Sequence, residues 1–105
     1  MIERRKHERV SATIDGRWLG ASGGATCQVE NLSLGGCFVR TAASSVEGIG
    51  VIRLILGGKT SLSMAGRVVH AERGRGFGVQ FRDMSLDARA ELEHHIGALR
   101  AALVA

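Results

Sequence analysis

The sequence predicts a six-stranded antiparallel β-barrel closed by a C-terminal α-helix. Short runs in which apolar and polar residues alternate recur from residue 10 to residue 81, which is the period of strands with one buried face. The segments between them are glycine-rich and too short for the helical crossovers that parallel strands need, and glycines inside the runs mark bends that let a sheet close. After residue 84 the apolar period lengthens to that of a helix. A chain of 105 residues, 45% hydrophobic and 23% charged, is one globular domain spanning 1–105.

Taken in order, residues 1–9 are charged and without periodicity and read as a flexible arm; the barrel covers 10–82. The first strand carries Val10, Ala12, Ile14 and Trp18 on its inner face, with a bend at Gly16. Gly20 to Gly24 turns the chain, and Ala25, Cys27 and Val29 are the inner face of a second strand. A third strand spans Gly36 to Thr41, with Phe38 expected in the core, and Ala42 to Gly50 is a loop. Residues 51–56 are nearly all apolar and form a buried fourth strand, ended by the hairpin pair Gly57-Gly58. Leu62, Met64, Val68 and His70 share a face of a fifth strand from Thr60 to Ala71, bent at Gly66. Residues 72–76 turn back into a sixth, where Phe77, Val79 and Phe81 face the core. Ser85 is the expected N-cap of a helix over 85–104, with Asp87 suited to its dipole. Leu92, Ile96, Leu99 and Leu103 make its buried stripe.

Composition excludes several functions. No window approaches the roughly 20 apolar residues of a membrane span. The N-terminus has basic residues but no apolar segment behind them, so a cytoplasmic, bacterial-type location is expected. Cys27 and Cys37 are too few for a disulfide framework or an all-cysteine zinc site and read as small hydrophobes. His94 and His95 are adjacent and cannot share one helix face, and no paired carboxylates or cysteine with a base stand out. The expectation is a binding protein, not an enzyme, without metal or cofactor.

The net charge is +4, and Arg4, Arg5, Lys6 and Arg9 against Glu3 and Glu8 supply +2 of it within the arm. An arginine fork matches phosphate oxygens or the O6 and N7 edge of guanine. Arg5 and Arg9, four residues apart, can approach one compact ligand from two sides. In Asn31-Leu32-Ser33-Leu34-Gly35-Gly36, Asn31 and Ser33 offer a carboxamide and a hydroxyl, and Gly35 and Gly36 let backbone lie close to a bound molecule.

Arg5-Lys6-His7-Glu8-Arg9 resembles the RxxxR element, and residues 31–36 the (D/N)xSxxG element, of PilZ domains, receptors for the bacterial second messenger cyclic di-GMP. The resemblance runs through the strand Gly76-Phe77-Gly78-Val79-Gln80-Phe81 and on from Asp83 to Arg89. It implies a PilZ-like split barrel whose outer surface binds the ligand. Arg5 and Arg9 would grip guanine and phosphate groups, Asn31 and Ser33 the guanine edge, and Gly36 would leave room. Arg4 would add a contact in the neighbourhood that sets whether one or two ligands bind. Asn31 stands where many members carry aspartate and has one acceptor oxygen for the guanine ring N–H and amine instead of two. The sequence is therefore read as a standalone cyclic di-GMP receptor signalling to a protein partner, with no nucleic acid and no membrane insertion. The alternatives are a PilZ-like interaction module that needs no nucleotide and a barrel for single-stranded nucleic acid; the latter is disfavoured because 4% aromatic residues leave few stacking surfaces.

Overall fold

A computed structural model describes residues 9–21, 23–41, 48–57 and 60–104. The strands are β1 (Ile14–Gly20), β2 (Gly23–Glu30), β3 (Gly36–Arg40), β4 (Ile49–Gly57), β5 (Thr60–Glu72) and β6 (Gly76–Arg82), followed by α1 (Leu86–Val104). All neighbouring strands are antiparallel, and the order β1-β2-β3-β6-β5-β4 closes on itself as a barrel. The expected fold class is the observed one.

Alternation sorts the side chains as the sequence requires. Ile14, Trp18, Val29, Val39, Ile52, Leu54, Leu62, Met64, Phe77 and Val79 fill the interior. There the rings of Trp18 and Phe77 meet edge to face, 5.1 Å between centroids. Cys27 is half-buried and Cys37 buried, both as free thiols. Burial pushes Cys27 up to about 11. It pushes Cys37 up to about 12, with the neighbouring Cys27 thiol adding to the effect.

Five local expectations are corrected. Val10 is buried but belongs to no strand: β1 begins at Ile14, and Val10 instead forms a lone antiparallel bridge with Leu32. β4 begins at Ile49 instead of residue 51, while 42–47 of the expected loop lie outside the described residues. Phe38 alternates with the buried Cys37 and Val39 and so lies on the outer face of β3. His70 is exposed, because a register shift between Val68 and His70 on β5 turns it outward opposite Gly78. Leu103 is 58% exposed although Leu92 and Ile96 are buried and Leu99 packs against the core. The apolar stripe of α1 thus outruns the barrel it covers.

The start of α1 follows its capping chemistry. Ser85 Oγ accepts from the Ala88 N–H at 3.1 Å and the Ser85 carbonyl accepts from Arg89 at 2.9 Å. No helix among the described residues is long and apolar enough to cross a membrane.

Candidate functional site: the turn from β2 to β3 and the root of the arm

β2 leaves the barrel wall at Glu30, and Asn31 takes φ 52°, a left-handed conformation that asparagine tolerates better than most residues. That reversal sends Leu32 into the core, where it is fully buried. The Leu32 backbone is then held by Val10: the Val10 N–H donates to the Leu32 carbonyl at 2.8 Å and the Leu32 N–H to the Val10 carbonyl at 3.1 Å. Arg9 and Asn31 each stand one residue before a member of this isolated antiparallel bridge. The chain immediately after Arg9 is therefore fastened to the middle of the turn.

Ser33 is only 7% exposed, and its hydroxyl is committed within the turn. It accepts from the Gly35 N–H at 3.1 Å and the Gly36 N–H at 3.2 Å, and donates to the Gly36 carbonyl at 3.3 Å. The Ser33 N–H also donates to the Gly36 carbonyl at 2.9 Å. This is the local pattern by which serine builds turns. Gly35 ties the turn to β6, its carbonyl accepting from the Phe81 N–H at 2.9 Å. Gly36 pairs with Gln80, and a Cβ placed on it would overlap the Val79 carbonyl. Its glycine is thus demanded by the close approach of β3 to β6.

Two groups stay uncommitted. The Asn31 carboxamide is partly exposed and makes no hydrogen bond to any described residue, and the exposed Arg9 side chain has no ion-pair partner among them. Arg4 and Arg5 lie outside the described residues. Along the outer face of β3, Phe38 lies under the Arg75 guanidinium, 5.3 Å from the ring centroid, and Arg40 pairs with Glu30 at 3.2 Å. Arg75 is itself held by Glu72 at 3.0 Å. Sequence reasoning missed the Phe38–Arg75 contact, although the alternation of Cys37 and Val39 about Phe38 carried the signal. Among the described residues no cluster of histidine, cysteine, aspartate and glutamate is arranged to hold a metal ion.

The family model described as the PilZ domain matches residues 3–98, nearly the whole chain. This chain belongs to the PilZ domain family. Solved PilZ domains share the fold: that of YcgR from Escherichia coli with c-di-GMP superposes with a TM-score of 0.84 at 16% identity, covering 96% of this chain and 95% of that one. The PilZ domain of CeSA from a cellulose-synthesizing bacterium gives 0.70 at 28% identity, covering 89% and 98%. The Bacillus subtilis inhibitor of motility MotI/DgrA gives 0.71 at 16% identity, covering 97% of this chain but 52% of that one. No curated protein sequence matches the chain.

Proposed function

We propose that this PilZ domain is a non-enzymatic receptor that binds cyclic di-GMP on the outer barrel surface beside residues 31–36 and acts through a protein partner. The observation that carries the reading is the Val10–Leu32 bridge. It joins the root of the arginine arm to the turn while Arg9 and Asn31, whose side chains suit an anionic guanine nucleotide, have no partners among the described residues.

The roles divide by commitment. Arg9 supplies a fork to a phosphate or a guanine edge, and Arg5 and Arg4 add guanidiniums from further along the arm. The Asn31 oxygen accepts from the guanine edge and its amide donates. Ser33, Gly35 and Gly36 shape the turn and fix it to β6, so Ser33 contributes through the shape of the turn. The family match and the c-di-GMP named with the YcgR domain support the choice of ligand.

Titration calorimetry with cyclic di-GMP tests this. Binding by the intact protein is expected, with Arg9→Ala weakening it by about 2 kcal/mol, roughly thirtyfold in Kd. Absence of heat from protein shown to be folded would leave a nucleotide-independent interaction module.

A further inference from the structure

Across the barrel from the β3–β6 seam, the outer face of β1 and β4 combines charge and apolar surface in a way that ligand binding at the turn does not use. Arg17 and Arg53 are register partners on these adjacent strands, both exposed. Like charges directly opposite across two strands repel. Neither has an ion-pair partner among the described residues; the Arg53 Nε–H donates to Ser63 Oγ at 3.3 Å. The carboxylate of the same face is Asp15, two residues from Arg17 along β1. The next row runs Leu19, Val51, Ala65, Arg82 over β1, β4, β5 and β6. Leu19 there is 37% exposed, and Val51 and Ala65 are half-buried. Beyond it, Ile49 faces Arg67.

We infer that this face docks a protein partner bearing carboxylates around an apolar stripe, an acidic amphipathic helix being the simplest form. The inference rests on the adaptor half of the proposed function and not on the ligand. Three features select that occupant. Arginine forks bind carboxylates in bidentate geometry, and an apolar row between Arg17–Arg53 and Arg67 matches a stripe flanked by acids. The barrel is closed, so no strand edge is available among these elements for a partner strand and recognition must come from side chains. A second copy laid on the same face about a two-fold axis would set Arg17 and Arg53 against their own counterparts.

The test is fluorescence anisotropy with a labelled synthetic helical peptide carrying a leucine stripe flanked by glutamates, and a control with lysines in their place. The intact chain is expected to bind the glutamate peptide saturably and not the lysine peptide. Arg17→Glu/Arg53→Glu should lose binding by about tenfold or more and gain the lysine peptide, while its affinity for cyclic di-GMP is unchanged. Gain of the lysine peptide also shows that the variant is folded. No saturable binding, or binding unaffected by the charge reversal, overturns the inference. Sedimentation with phosphatidylglycerol vesicles that depends on Arg17 and Arg53, without peptide binding, would assign the face to a membrane and overturn it equally. A failed cyclic di-GMP titration beside successful peptide exchange would count against the ligand alone.

Discussion

Val10 and Leu32, one on the segment before β1 and one in the turn after β2, hold each other by two backbone hydrogen bonds, of 2.8 Å and 3.1 Å, and bury both side chains. The pair lies outside the strands proper, yet it decides where Arg9 stands relative to Asn31. On the proposed function, ligand affinity should therefore depend on this short piece of backbone.

Val10→Pro removes the N–H that bonds Leu32 while keeping an apolar side chain. The barrel should remain folded, losing about 1 to 3 kcal/mol in denaturant titration because the Leu32 carbonyl of a fully buried residue loses its donor. Affinity for cyclic di-GMP should fall by about tenfold, because a single remaining bond, from the Leu32 N–H to the residue-10 carbonyl, then holds Arg9 beside the turn.

Asn31 and Ser33 should separate cleanly. Asn31→Gly keeps the φ 52° backbone and removes the carboxamide, so stability should change by less than about 0.5 kcal/mol while calorimetry shows a loss of about tenfold or more. Ser33→Ala deprives the Gly35 and Gly36 N–H groups of their acceptor and should cost about 1 to 3 kcal/mol in stability, with the affinity loss following from a loosened turn.

Two glycines should respond in opposite directions. Gly36→Ala drives a methyl group into the Val79 carbonyl and should destabilise by about 2 kcal/mol or more, as overpacking against backbone does. A Cβ at Gly97, on the exposed side of α1, would meet nothing, so Gly97→Ala should stabilise by about 0.5 to 1 kcal/mol. Guanidinium titrations of both variants check this.

How much of this was legible beforehand follows from what each feature depends on. Alternation along single strands, as at Trp18 or Val79, reports burial directly and placed most of the interior. The same alternation about Cys37 and Val39 puts Phe38 on the outer face, against the expectation that it lies in the core. His70 was misplaced because a register shift in β5 resets the alternation, and nothing in Val68-Val69-His70 announces it. The serine-glycine turn was visible as a motif, whereas the commitment of Ser33 to the Gly35 and Gly36 backbone depends on three-dimensional closure. The packing that Gly36 must satisfy comes from a carbonyl on β6 more than 40 residues away, which the local sequence does not show. The Val10–Leu32 bridge was invisible for the same cause: pairing between distant segments has no local signature.

The two thiols make stability depend on alkaline pH. Cys27 and Cys37 are raised from their ordinary 9.0 to about 11 and about 12, chiefly by burial, so the folded chain keeps protons that the unfolded chain releases. Their contribution is whole below pH 9.0 and declines as pH rises through about 11 and 12. The denaturation midpoint should fall over that window, and Cys27→Ala should flatten the fall.

The central claim is that the arm root and the 31–36 turn form one ligand surface. Amide NMR of the intact chain, titrated to saturation with cyclic di-GMP, tests it most directly. The largest shifts should fall together on Arg9, Val10 and residues 31–36, with the amides of Arg17 and Arg53 little changed. Shifts centred on another face, or perturbation of the turn without Arg9 and Val10, would contradict it.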